Sequence, residues 1–249
     1  EGVSNGDGTT LTITKYRYNE NNGCGKEVII KNNNVKLYNG VSGKITKIGK
    51  ETFKDMPIEK VTLSDVDYIG DSAFENTGLL SMPMPSLNNI KFIGSRAFAN
   101  TQIEEVDLSG DRTIGDYAFA NNKKLGKVSL PNANIYSSGT TLSVGLFKER
   151  GTDASGIDAS GTDVSGIAVN IPNGMTDIGE EMFYLAKING ITLNDGVKTI
   201  KDRAFSQYNN TNKEGTGEAD NVTITANVES IGADSFRGLN ITTLTINDG

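Results

Sequence analysis

The sequence predicts an α/β repeat solenoid, and three observations carry that prediction. Eight of the nine phenylalanines close one recurring phrase, IGKETF (48–53), IGDSAF (69–74), IGSRAF (93–98), IGDYAF (114–119), SVGLF (143–147), IGEEMF (178–183), IKDRAF (200–205) and IGADSF (231–236). The phenylalanines are 21 to 36 residues apart, and a fixed phrase at such a period marks units that stack in a line. Between phrases lie short alternating segments such as IEEVDL (103–108), which read as half-buried strands. Finally, 29 glycines and a hydrophobic share of 36% suit a chain that turns often better than one compact core. A unit this small cannot bury its own apolar face, so neighbours must share one elongated core.

Residues 93–114 illustrate one unit. Ser95 is placed to cap a short helix, and Asp71, Asp116 and Asp202 hold the same position in other units. Ala97 and Phe98 then form the buried side of a single helical turn, with phenylalanine as the plug between layers. Asn100, matched by Asn76 and Asn121, tolerates the left-handed conformation that ends such a turn. In the strand that follows, Val106 and Leu108 point inward while Glu105 and Asp107 point outward. Equivalent strands are KVTL (60–63), SMPM (81–84), KVSL (127–130), AVNI (168–171), GITL (190–193), NVTI (221–224) and TLTI (243–246). A second extended piece precedes each phrase, as in VDYI (66–69) and IKFI (90–93). Its apolar ends are three apart, which suits an irregular stretch better than a strand. The glycine after it is expected to let the chain turn tightly, although Lys201 stands there in one unit.

Residues 1–42 lack the phrase. TTLTITKYRY (9–18) reads as a strand, and EVIIKNNNVKLY (27–38) as two extended pieces around an asparagine turn. This segment is expected to be an N-terminal cap with a worn first repeat, Tyr16 and Tyr18 packing there in preference to forming a ligand-binding pair. Residues 43–249 form the repeat array, about eight units, with a degenerate, enlarged repeat at 131–174. Within it, GTDASGIDASGTDVSG (151–166) recurs every five residues. Asp153, Asp158 and Asp163 are the carboxylates a calcium site would use, but the spacing fits neither calcium loop motif, so a dispensable, solvated, flexible loop is expected. A second lengthened loop covers 206–220.

Composition narrows function. A net charge of −7 and a pI of about 4.8 disfavour nucleic acid and anionic membrane surfaces. No apolar run approaches the roughly 20 residues of a membrane span. Cys24 is the single cysteine, so no internal disulfide can form. Histidine is absent, which removes the common general base and metal ligand, and with it Ser-His-Asp and Cys-His chemistry. The adjacent pairs Glu104/Glu105 and Glu180/Glu181 diverge in either a strand or a helix and make no shared carboxylate site. No catalytic, cofactor-binding or metal-binding residue is expected.

The aliphatic strand followed by I-G-x-x-A-F resembles the BspA-like leucine-rich-repeat family over roughly 43–249. That resemblance implies a right-handed leucine-rich-repeat superhelix with one parallel concave sheet and short helical turns. It also implies a protein secreted by, or displayed on, bacteria of gut or mouth, with its export leader removed, that adheres or binds host proteins without catalysis. The partner expected is an extracellular protein or glycan, and the chain is expected to be a monomer. The alternative is a spacer region of a larger surface protein.

The outward strand columns contain Asp107, Ser129 and Thr192 but no Trp, Tyr or Arg, the residues that anchor interfaces. Tyr68, Phe92, Tyr117, Tyr136, Tyr184 and Tyr208 lie elsewhere, Tyr117 and Tyr184 beside core positions. Contact is therefore expected through the cap or the loops at 131–174 and 206–220, with Tyr136 and Tyr208 as candidate anchors, and Asp107, Ser129 and Thr192 as the candidates if the sheet binds instead.

Overall fold

The computed structural model describes residues 1–7, 9–16, 26–30, 34–36, 40, 42–81, 89–110, 112–148, 167–186, 188–209, 214–215, 217–225 and 227–246. Tyr18, Cys24, residues 82–84 of the SMPM segment and the 151–166 repeat lie outside these residues.

The chain runs in successive coils, and each coil contributes to two separate sets of parallel strands. The broad set holds the alternating segments. β3 (Glu27–Ile30) pairs with β6 (Lys60–Leu63), and β9 (Glu105–Asp107) pairs with β11 (Lys127–Ser129). A four-stranded sheet follows, β14 (Ile167–Asn170), β16 (Ile188–Thr192), β20 (Gly217–Ile224) and β22 (Leu239–Ile246). The narrow set holds the pieces before the glycine. It links β2 (Thr10–Ile13), β5 (Ser42–Ile48), β7 (Tyr68–Ile69), β8 (Phe92–Ile93) and β10 (Thr113–Ile114), then separately β15 (Asp177–Ile178), β17 (Thr199–Ile200) and β21 (Ser230–Ile231). β1 (Gly2–Ser4) and β4 (Asn34–Lys36) join the first of these stretches antiparallel. Two antiparallel hairpins complete the inventory, β12 (Tyr136–Ser138) with β13 (Thr141–Leu142) and β18 (Tyr208–Asn209) with β19 (Glu214–Gly215).

One parallel sheet was expected, and the described residues form two sets, both interrupted near the enlarged repeat. The piece read as irregular is a true ladder position. Its apolar ends are three apart because two residues face outward between them. Val66 and Ile69 are buried while Asp67 and Tyr68 are half-exposed, and Ile90 and Ile93 are buried around Lys91 and Phe92.

The third side of each coil carries the phenylalanines. Phe53, Phe74, Phe98, Phe119, Phe147, Phe183 and Phe205 are fully buried and stack with centroids 5.0–6.0 Å apart. Tyr16 tilts against Phe53 at 5.3 Å, as expected for packing at that end. Phe236 continues the stack at 5.4 Å but is only half-buried, so the buried spine has seven phenylalanines, not eight.

The turn holding these rings was expected to be helical. Among the described residues there is no helix, and the hydrogen bonds explain why. Ser72, Phe74 and Asn76 donate their N–H groups to the carbonyls of Ser95, Ala97 and Ala99 in the next coil, at 2.9, 2.8 and 3.1 Å. Ala73, Glu75 and Thr77 donate back within the coil to Gly70, Ser72 and Phe74. Alternate amides therefore leave the coil, and an i to i−4 ladder cannot form. The backbone achieves this by visiting positive φ at alternate turns of the chain, as at Ser72 (52°) and Asn76 (59°), or Arg96 (56°) and Asn100 (57°). The asparagines adopt the left-handed conformation expected of them, but it serves this zigzag.

Two other expectations are corrected in the same way. The Asp71, Asp116 and Asp202 carboxylates do accept backbone N–H groups, but those of Ser95, Val144 and Ala233 in the next coil, each at 2.9 Å. The glycine of the phrase is not there for positive φ. A Cβ on Gly94 would lie 2.4 Å from the Asp71 amide nitrogen, and one on Gly115 would lie 2.3 Å from that of Ser95. At Gly94 and Gly115 glycine is required because adjacent coils touch backbone to backbone there. Buried polar groups stitch coils too. Asn122, 1% exposed, accepts from the Thr101 amide and hydroxyl at 2.7 Å and donates to the Phe98 and Phe119 carbonyls at 3.0 Å.

Candidate binding surfaces

The broad strands place Asp107 and Ser129 side by side, as register partners of β9 and β11. Thr192 belongs to the separate four-stranded sheet, between Asn170 and Thr223. The three sheet-face candidates are therefore not one cluster. Asp107 also spends one oxygen on the Ser109 amide, 2.8 Å away, holding the following turn. Around it the face is charged but paired, Lys127 with Glu105 at 2.5 Å and Lys60 with Glu27 at 2.8 Å. Beyond the enlarged repeat the outward column reads Asn170, Thr192, Thr223, Thr245 and carries no charge.

Tyr136 opens the β12–β13 hairpin, which packs beside β10. Its hydroxyl accepts a hydrogen bond from Asn134 Nδ2 at 3.2 Å. Asn134 also donates to Asp177 at 2.8 Å and accepts from the amides of Thr176 and Asp177 at 2.8 and 2.9 Å. Asn132 accepts from the Gly174 amide at 2.6 Å. These bonds join the two ends of the enlarged repeat across more than 40 residues of chain. Partial burial opposes the charge of Asp177, but hydrogen bonds from Thr176, Asn134 and Thr199 outweigh it and hold the carboxyl below its ordinary pKa. Tyr208 begins β18 in the second hairpin. The chain does not bring Tyr136 and Tyr208 into one strand ladder.

Two further features stand outside the candidate residues. On the turn side, Glu75 lies between Lys54 at 3.0 Å and Arg96 at 3.1 Å, and Lys148, Glu181 and Arg203 repeat the arrangement. Lys148 also stands over Tyr184 and Tyr117, 4.9 and 5.7 Å from their ring centres, so both tyrosines belong to this structural network. On the narrow strands, Lys47, Tyr68, Phe92 and Thr113 are successive register partners. The Tyr68 and Phe92 rings are parallel within 7°, with centroids 4.5 Å apart, and Lys47 Nζ lies 5.8 Å from the Tyr68 centroid. The signal was present in sequence, since each of these residues immediately precedes the isoleucine of the phrase or its counterpart. Among the described residues no three His, Cys, Asp or Glu side chains gather as metal ligands, and no helix is long and apolar enough to cross a membrane.

Comparison with known proteins places this geometry. The BspA type leucine rich repeat region matches residues 30–148 and 164–249, with six copies. Comparison with curated proteins gives no match. Among solved structures, a leucine rich cell surface protein from Faecalibacterium prausnitzii A2-165 is 20% identical with a TM-score of 0.47, covering 97% of this chain and 52% of that one. A leucine-rich repeat protein from Bacteroides ovatus is 19% identical with a TM-score of 0.46, covering 95% and 66%. The pneumococcal vaccine antigen PcpA is 14% identical with a TM-score of 0.41, covering 96% and 45%. The chain thus spans about half to two thirds of the length of these structures. Such distant likenesses add nothing about ligands, but the repeat match extends over most of the sequence, and the chain belongs to the BspA-type leucine-rich repeat family.

Proposed function

We propose that this chain is a noncatalytic binding or adhesion module, secreted by or displayed on a bacterium, which captures an extracellular protein or glycan as a monomer. In this reading the stacked coils form a right-handed solenoid, residues 1–42 cap it, and the repeat-breaking segments make contact. The observation that carries the reading is the β12–β13 hairpin. It departs from the repeat, presents Tyr136 half-exposed, and rests on a base fixed by Asn132 and Asn134. A rigid scaffold holding an irregular loop is how recognition is commonly built, and a tyrosine held by a hydrogen bond loses little entropy on binding.

The test is capture from a glycan array and a panel of purified extracellular proteins. A Tyr136→Ala/Tyr208→Ala double variant is expected to lose capture, while Asp107→Ala, Ser129→Ala and Thr192→Ala retain it. The opposite pattern would move the site to the broad strand face.

A further inference from the structure

Between Lys127 and Lys148 the sequence carries no Asp, Glu, Lys or Arg, in a chain of which 22% is charged. The β12–β13 hairpin lies in the middle of this uncharged stretch. Its loop is tight. Ser138 and Thr141 are register partners, and Gly139, with a φ of 49°, turns the chain between them. Ser137 Oγ donates to the Thr141 carbonyl at 3.3 Å across that loop. At the base, Asn134 accepts from the Thr176 and Asp177 amides and donates to the Tyr136 hydroxyl at 3.2 Å. A short loop on a fixed base gives Tyr136 a settled place. The ring is half-buried, and Ser138, Thr140 and Thr141 are exposed.

What the hairpin lacks restricts its ligand. A protein interface is built around a desolvated apolar centre. The exposed large hydrophobic residues among the described ones are Val3, Ile29, Leu80, Ile231, Leu244 and Ile246, and none of them belongs to the hairpin. An anionic ligand needs cations, and the hairpin has none. The charged groups on the elements around it are engaged within the chain. Arg112, next to β10, is half-buried and donates to the Ser109 carbonyl at 3.0 Å. Asp177 accepts from Asn134 at 2.8 Å and from Thr176 at 2.7 Å, and it feels the charge of Lys201. The net charge of −7 opposes an anion further. What the hairpin does present is one aromatic ring and a group of hydroxyls. Among the described residues the side chains of Ser138, Thr140 and Thr141 have no hydrogen-bond partner within the chain.

We propose that the Tyr136 hairpin binds a neutral glycan, one hexose unit lying against the tyrosine. The C–H face of the pyranose rests on the ring, and its hydroxyls exchange hydrogen bonds with the hydroxyls of the loop. The Tyr136 oxygen accepts from Asn134, so its own proton is left for a sugar oxygen. A sugar unit asks for a small apolar face, several polar contacts and no charge, and the hairpin offers these together. The inference rests on the binding reading above and narrows its partner from protein or glycan to neutral glycan.

The experiment is calorimetric titration of the intact chain with maltotetraose, cellotetraose and lacto-N-neotetraose, with tetragalacturonate as the acidic control and the protein panel beside them. A neutral tetrasaccharide is expected to bind, with an affinity that added salt leaves unchanged. Tyr136→Ala is expected to weaken that binding about tenfold or more, and Tyr136→Phe to stay within about threefold of the parent. Tyr208→Ala and Thr192→Ala are expected to leave it unchanged. Intermolecular NOEs from the Tyr136 ring to sugar C–H protons read the contact in the unmutated chain, whatever Tyr136→Ala does to the hairpin. No binding of any of the neutral sugars, tighter binding of tetragalacturonate, parental affinity in Tyr136→Ala, or a bound sugar without ring NOEs would each overturn the proposal. Tyr136-dependent capture of a panel protein while no neutral sugar binds would overturn it and leave the binding reading standing. Capture that survives Tyr136→Ala/Tyr208→Ala would overturn that reading as well.

Discussion

The coils that end in Phe98 and Phe236 use nearly the same phrase, IGSRAF and IGADSF, yet their side chains meet different surroundings. Ile93 and Phe98 are fully buried, and so are Val106 and Leu108 in the strand that follows. In the later coil Ile231 is 48% exposed, Leu244 is 53% exposed and Ile246 is 65% exposed. The residues are equally apolar, so the difference lies in neighbours. A coil in mid-stack is covered on two sides by described coils, and the coil of Phe236 on one. In this fold, burial is a property of the stack, and identical wording carries unequal stability depending on position.

The comparison can be broken most directly with the rings. Phe98→Ala is expected to cost about 3–5 kcal/mol, the usual range for truncating a fully buried aromatic. Phe236→Ala should cost less than half as much. Urea unfolding of both variants reads this, and equal losses would mean that a half-buried ring stacked on one described neighbour contributes as much as one stacked on two.

The glycines sharpen it, because they should not follow the same rule. A Cβ on Gly94 would meet the backbone of the preceding coil at 2.4 Å, and one on Gly232 would meet the Asp202 side chain and backbone at 2.4 and 2.5 Å. Both glycines face backwards along the chain, so both see a neighbour. Gly94→Ala and Gly232→Ala should each destabilise by about 1–3 kcal/mol through overpacking. A harmless Gly232→Ala beside a damaging Gly94→Ala would show that the Phe236 coil is loosely seated on the one before it.

The smallest effect concerns charge. Glu75 is buried, which resists its ionisation, but hydrogen bonds from Ser72, Lys54 and Arg96 prevail and hold its pKa below the ordinary 4.5. As pH falls, the unfolded chain takes up this proton first. The contribution of Glu75 is therefore complete above about pH 4.5 and is lost as pH drops through the lower folded value. Glu75→Gln should flatten the acid limb of the stability curve. In the Phe236 coil, Asp234 makes an exposed pair with Arg237 at 3.2 Å, and Asp234→Asn should leave stability at neutral pH unchanged within error. Melting temperatures between pH 3 and 7 would separate the two.

What could be read from sequence was whatever a coil states about itself. The phenylalanine spine, the alternating strands and the positive φ of Asn76, Asn100 and Asn121 all follow from local residue types. What could not be read depends on the adjacent coil. The glycine of the phrase has a reason only when the Asp71 or Ser95 backbone beside it is known. The Asp71 carboxylate looks like a helix cap until its partner proves to be the Ser95 amide, 24 residues on. The short narrow strands read as irregular stretches because β7, β8 and β10 are each only two residues long, and period-two alternation cannot appear in two residues. Of the candidate site residues, Asp107 and Ser129 were rightly placed on one face, but nothing local says that Thr192 belongs to another sheet. Tyr68 and Phe92 were visible as aromatics. Their pairing needed the phrases to be aligned, which places both one residue before the isoleucine.

The amides that leave each coil have a consequence for how such a chain can change length. Registration between coils is set by Ser72, Phe74 and Asn76 reaching the next coil's carbonyls, and the same contacts recur from Tyr117 and Phe119 to Val144 and Leu146. None of them measures the chain running between. Lengthening that connection from 21 to 36 residues, the extremes seen between phenylalanines here, adds only about 0.5 kcal/mol of closure entropy. The rungs stay in register while the rope between them is paid out, so the outer connections are free to drift in sequence and size long before the interior records any change.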